Sequence, residues 1–148
     1  MNEFPVWWDT SITLYNRYED TETHLITWKR TNLDGCFWKA TSDKLTVGET
    51  VIESAVTICR IPKNDNFLPK FEWVKVPNDE MFNFFTLGVE DIVVKGTVDD
   101  DINEYVKGQR STDLIAKYKE LQGCIQIQEL SINTGPGRCC EHYYIKGN

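Results

Sequence analysis

Phe84-Phe85-Thr86-Leu87-Gly88-Val89-Glu90-Asp91-Ile92-Val93-Val94-Lys95-Gly96, running into Asp99-Asp100-Asp101, is the stretch whose reading decides the fold. Ile92, Val93 and Val94 are three β-branched residues in succession, which suits a buried strand over Asp91 to Thr97. Gly88 marks the turn into that strand, and Gly96 with the three aspartates marks the exit. A buried strand therefore sits beside a dense run of negative charge. The chain offers no credible catalytic group elsewhere, so the combination points to assembly and not to chemistry.

Toward the N-terminus, Ile12 to Tyr18 alternates with a period of two: Ile12, Leu14 and Tyr18 on one face, Thr13, Tyr15 and Arg17 on the other. This predicts a strand. Leu25 to Arg30 predicts a second, joined to the first by the polar Glu19 to Thr23 as a hairpin. Asp34-Gly35 is a turn signal, after which Cys36 to Ala40 reads as a third strand. Val51 to Ile61 is rich in β-branched residues and ends at Pro62, whose missing amide stops a ladder. The following segment, about 62–82, carries Pro62, Pro69 and Pro77 and has no clean period. It reads as a long functional loop, with a short helix around Phe71 to Val76 as the other reading.

Toward the C-terminus, Ser111 to Gly123 predicts the single confident helix, with Ser111 or Thr112 as N-cap, Asp113 near the positive end and Gly123 as terminator. Its apolar stripe is Leu114, Ile115, Tyr118 and Leu121. Cys124 to Ile132, the turn at Asn133 to Gly137, and Cys139 to Lys146 form a terminal hairpin. Ile125 and Ile127 break step with Leu130 and Ile132, which predicts a β-bulge or a change of environment there. Many short strands with one helix, at about 111–123, predict a mainly β fold: a small barrel or sandwich that the helix flanks or plugs.

The 148 residues suit one domain, taken as 1–148. With 41% apolar and 26% charged residues the chain can offset its ordering entropy, so a disordered protein is excluded. A net charge of −7 argues against a nucleic-acid binder, because affinity for phosphate rests on Lys and Arg. Five cysteines are an odd number in a domain large enough to need no staples, so a reducing compartment is expected. The first residues lack the pattern of a signal peptide, and no apolar run approaches the ~20 residues of a membrane span. The expectation is a soluble protein made in cytoplasm, without a membrane partner.

No pattern selects a Cys–His pair from the five cysteines with His24 or His142. Cys124, Cys139, Cys140 and His142 match zinc ligands in type but not in spacing. Glu90, Asp91 and Asp99 to Asp101 lack the spacing and central glycine of a calcium loop, and read better as a solvated acidic loop. Phosphate-binding, dinucleotide, nucleophile-elbow and zinc-protease motifs are all missing. No cofactor or metal is therefore expected, nor is enzymatic activity. Trp7, Trp8, Phe67, Phe71 and Trp73 lie in the segments least suited to core strands. They either cover the open ends of a barrel or anchor partner subunits.

Ile12-Thr-Leu-Tyr-Asn-Arg-Tyr18, Trp28-Lys-Arg-Thr31, Phe37-Trp38, Phe85-Thr86-Leu87 with Asp91-Ile-Val-Val-Lys-Gly96, and His142-Tyr-Tyr-Ile-Lys-Gly147 together resemble a small uncharacterised family from tailed phages and prophages of Gram-positive bacteria. The layout is similar to head–tail joining proteins, also called head-closure or stopper proteins. The chain departs from that pattern at Glu90, where glycine is expected before Asp91, and at Tyr143, where tryptophan is more usual. The resemblance implies a β-barrel subunit of a homo-oligomeric ring, a hexamer, in the virion neck. It would be assembled in the bacterial cytoplasm, contact portal, adaptor and tail proteins, and close the DNA exit channel. Trp7, Trp8, Phe67, Phe71 and Trp73 would then contact partners. Asp99, Asp100 and Asp101 would line the channel and let DNA slide past without specific binding. The alternatives are a tail-terminator or tail-completion ring protein, a small metal-dependent hydrolase using the acidic cluster with His142, and a protein binding a host factor.

Overall fold

A computed structural model describes residues 8–77, 79–133 and 141–148, and shows a closed antiparallel barrel of six strands. In chain order they are β1 (Thr10–Glu19), β2 (Ile26–Val47), β3 (Thr50–Pro62), β4 (Ile92–Lys95), β5 (Cys124–Asn133) and β6 (His142–Gly147). Around the barrel the order is β1-β2-β3-β6-β5-β4, with β4 pairing back onto β1. Closure leaves the barrel itself without an edge strand.

The interior follows the period of two. Ile12 and Leu14 of β1, Cys59 and Ile61 of β3, Val93 of β4, Ile125 and Ile127 of β5, and Tyr143 and Ile145 of β6 form one buried cluster. Phe85 and Leu87, from the segment preceding β4, belong to the same cluster, and Phe67 packs against it. Loop aromatics thus fill the barrel alongside the strand residues, while the long helix flanks it.

That helix, α2 (Ser111–Leu121), packs on β4 and β5. Leu114 and Tyr118 join Tyr15, Ile92, Val94, Val98, Ile102 and Cys124 in a second cluster outside the barrel wall. The second face of β1 is thereby covered too, with Thr13 and Tyr15 as buried as Ile12 and Leu14. The cause is the loop after β4, which folds back over that face. The Thr13 hydroxyl accepts from Val98 N at 3.0 Å, and the Tyr15 hydroxyl donates to the Asp100 carbonyl at 2.6 Å.

Asp34-Gly35 is not a hairpin turn. β2 runs through it without a break, and Gly35 takes φ +70° where the register with β1 shifts between Thr10 and Ile12. Asp34 and Gly35 there face Ser11 alone, as in a bulge with a left-handed glycine. β2 pairs with β1 as far as Cys36 and with β3 from Phe37 onward. The expected bulge in β5 is present, with a register shift between Ile127 and Glu129 where β5 leaves β4 for β6.

In its described part, the 62–82 segment is a long loop that holds one short helix, α1 (Lys70–Trp73), and it ends in a 3-10 turn over Met81–Asn83. At α2 the expected Ser111 or Thr112 cap is displaced by one residue. Arg110 is the N-cap, Asp113 Oδ2 accepts its amide at 3.1 Å, and Glu104 Oε1 accepts the Ser111 amide at 2.9 Å. Leu121 is 72% exposed, because the apolar stripe ends where the chain turns through Gly123 into β5.

Candidate functional site

The acidic loop is held by cations from two elements. Arg30 Nη1 lies 2.9 Å from Asp101 Oδ1 and also donates to the Asp99 carbonyl, while Lys117 Nζ of α2 lies 2.7 Å from Asp100 Oδ2. The Lys117 bond holds the Asp100 carboxyl below its ordinary range, and the same bond raises the Lys117 amine. Two of the three aspartates are therefore neutralised within the subunit. Asp99 is left, among the described residues, as the carboxylate of the trio without an ion pair. A cleft of about 310 Å³ opens between Asp100 and Asp101 on one side and Arg110, Asp113 and Lys117 on the other.

Asp91 takes no part in that loop. It is buried, and burial raises its carboxyl above the ordinary range against the opposing pull of the Arg17 amide, Lys70 and Asn16. Asn16 Nδ2 donates to Asp91 Oδ2 at 2.8 Å and to the Thr86 carbonyl at 2.6 Å, and Asp91 Oδ1 accepts the Arg17 amide at 3.0 Å. Lys70 Nζ donates to the Arg17 carbonyl at 2.8 Å. Both backbone groups of Arg17 are thus capped by side chains, which closes the part of β1 that extends beyond β4. Glu90, the position where glycine was expected, has φ +81°.

The aromatics separate. Phe67 packs tilted on Tyr143, ring centres 4.3 Å apart, and edge-on to Phe85 at 5.7 Å, so it covers the barrel end. Trp73 is fully buried, edge-on to Tyr18 at 5.9 Å with Lys70 Nζ 5.0 Å above its ring, and so packs inward instead of offering a docking surface. Phe71, two residues away and so on the opposite side of α1, is 65% exposed. Trp8 packs against Phe37 and His142 at 6.1 and 5.6 Å. Trp7 lies outside the described residues.

His142 begins β6, while the acidic loop is held over β1 and β2, so a site combining them is not assembled. Cys124 and His142 sit at opposite ends of β5, nine residues or about 30 Å apart along the strand. Cys139 and Cys140 lie outside the described residues. Among those described, no group of three or more metal-ligating side chains converges, and no helix is long and apolar enough to cross a membrane. The Cys36 and Cys124 thiols are pushed up to about 12 by burial, and Cys59 is raised as well, so these three resist ionisation.

One feature was not singled out in the sequence. On the outside of the barrel the registers align Phe37, Arg60, Tyr144 and Ser131 in one row across β2, β3, β6 and β5. The Arg60 guanidinium lies 5.2 Å from the Phe37 ring and 5.7 Å from the Tyr144 ring. Alternation with the buried Cys59, Ile61, Tyr143 and Ile145 could have placed Arg60 and Tyr144 outside.

Beyond the barrel, β2 and β3 continue as a two-stranded arm, with the register running from Thr41↔Val56 to Val47↔Thr50. Pairing with β6 starts only at Thr57.

No curated protein and no solved structure matches this chain. A family does match, over residues 7–148, and because the match takes in nearly the whole sequence the chain belongs to DUF6751, a family of unknown function.

Proposed function

We propose that this protein is a structural subunit of a tailed-phage neck, forming a head-closure ring between the portal adaptor and the tail. It is assembled in the bacterial cytoplasm and acts without enzymatic activity or cofactor. The observation that carries the reading is the arm. A two-stranded ribbon is marginal in water by itself, and seven residues of extended chain reach roughly 20 Å from the barrel wall. Such an element is useful where another subunit covers it. The family-like sequence pattern supplies the phage setting, and Phe71, exposed on α1, is the aromatic that stands open for portal, adaptor or tail contacts.

The acidic loop enters this reading in altered form. With Asp100 and Asp101 held by Lys117 and Arg30, a ring would present about one uncompensated charge per subunit from this trio. A wall of three charges per subunit is not available to repel DNA. We therefore assign the loop to contact between subunits in preference to lining the channel.

A cryo-electron microscopy reconstruction of the parent particle's neck tests the proposal. Density for this barrel in a ring under the portal adaptor is the expected result. A ring at the end of the tail tube would assign the chain as a tail terminator, and no density in the particle would remove the structural role.

A further inference from the structure

The closed order β1-β2-β3-β6-β5-β4 places the β3–β6 wall across the barrel from the β4–β1 wall. The two walls differ in chemistry. Across the outside of β3 and β6 and the adjoining part of β2 lies the row of Phe37, Arg60 and Tyr144, with Lys39 of β2 one step along and Trp8 against Phe37. Arg60 and Lys39 have no ion pair among the described residues, whereas Lys117 and Arg30 on the other side are engaged by Asp100 and Asp101. Arginine flanked by aromatic rings, with its charge unspent, is the composition that dominates binding at interfaces. On the opposite side, Tyr15 of β1 and Lys117 of α2 hold the acidic loop against the β1–β4 wall, and the exposed Asp99 carboxylate has no ion pair among the described residues.

Resting on the ring reading above, we propose that the β3–β6 wall of one copy docks on the acidic loop of the next, head to tail. The occupant is a second copy because, among the described residues, the chain carries both complements: Arg60 and Lys39 without an ion pair on one wall, beside a Lys146 already paired with Glu129, and the Asp99 carboxylate without one on the far side. Two copies meeting through the same β3–β6 wall would set Arg60 and Lys39 against their own equivalents, which like-charge repulsion opposes. Joining unlike patches is a heterologous contact, which gives a closed ring where the rotation from copy to copy closes and an open filament where it does not. The aromatic rings supply the desolvated centre, and the Arg60–Asp99 attraction selects orientation.

The test is the mass in solution, by native mass spectrometry and light scattering across concentration, for wild type, Arg60→Glu, Asp99→Lys and the double variant. Lys39→Glu, at an exposed position on the same wall, serves as a second probe that leaves the Phe37 and Tyr144 stacking in place. Wild type should form a closed oligomer, and each single reversal should weaken association about tenfold or more at low salt. The double reversal should restore most of it. An oligomer indifferent to Arg60→Glu and Lys39→Glu overturns this interface while leaving the ring reading intact. Weakening without rescue in the double variant overturns the pairing with the acidic loop. A wild-type monomer at every concentration overturns the interface and the self-assembling ring together.

Discussion

Trp73→Ala removes a fully buried tryptophan from a segment whose sequence shows no regular period. A buried tryptophan removes about 200 Å² from water, which at roughly 25 cal/mol per Å² is about 5 kcal/mol before relaxation. α1 is one short turn and can settle partly into the space, so the expected loss of unfolding free energy is about 3–4 kcal/mol. Among the described residues the indole N–H has no hydrogen-bond partner, so no polar pair between them is broken. The edge contact with Tyr18 and the Lys70 ammonium above the ring are lost as well. Urea denaturation followed by far-ultraviolet circular dichroism measures the change. With a denaturant slope of about 2 kcal/mol per molar, the midpoint should fall by roughly 1.5–2 M. Trp73→Phe should recover more than half of the loss. A midpoint shift under about 0.5 M, combined with loss of oligomers or particle binding, would return Trp73 to the role of a docking residue and refute the packing argument.

Leu114→Ala and Tyr118→Ala should each cost about 2–4 kcal/mol in chemical denaturation, since both lie under α2, whereas Leu121→Ala at the exposed end of the stripe should change stability by less than about 0.5 kcal/mol. Glu90→Gly should raise the unfolding free energy by about 0.5–1 kcal/mol, because relief of a left-handed non-glycine residue outweighs the added chain entropy; an equal loss would show that φ +81° is not strained here. For Asp91 the folded carboxyl is raised by burial, so the folded state holds the proton more tightly than the unfolded state does. Its contribution is therefore fully present below the ordinary value of 3.8 and is lost as pH rises through the raised folded value. Urea titrations of wild type and Asp91→Asn from acid to neutral pH should show wild type losing ground to the variant across that window. The opposite slope would mean that Lys70 and the Arg17 amide outweigh burial.

Local pattern carried the strands well, because burial inside a barrel imposes a period of two that any single strand displays: Ile12 with Leu14, Cys59 with Ile61, Ile125 with Ile127. It failed wherever the deciding partner is distant in the chain. Asp-Gly signals both a tight hairpin turn and a bulge with a left-handed glycine, and only the register of β1 against β2 separates the two at Gly35. The burial of Thr13 and Tyr15 on the second face of β1 could not be read locally, because their cover, the loop at Gly96 to Asp100, returns from more than 80 residues away. A helix of four residues leaves no periodic trace, so Phe71 and Trp73 could not be told apart although one is exposed and the other enclosed.

The candidate site shows the same division between composition and arrangement. Asp99 to Asp101 count as three charges in the sequence, but their electrostatic effect depends on Arg30 and Lys117, which are neighbours only because β2 and α2 converge on the loop. Glu90 and Asp91 are adjacent in sequence to the same β4 strand, yet Asp91 turns inward to Asn16 and Arg17 and adds nothing to the outer field. Conversely, Phe37, Arg60 and Tyr144 stand 23 and 84 residues apart in the chain, and only antiparallel pairing over three strands sets them in one row. A surface built by register is invisible to a count of charges. That is why the acidic run, the most conspicuous feature of the sequence, carries less free charge in the fold than its composition implies, and why the aromatic and cationic wall opposite it emerges only once the barrel is closed.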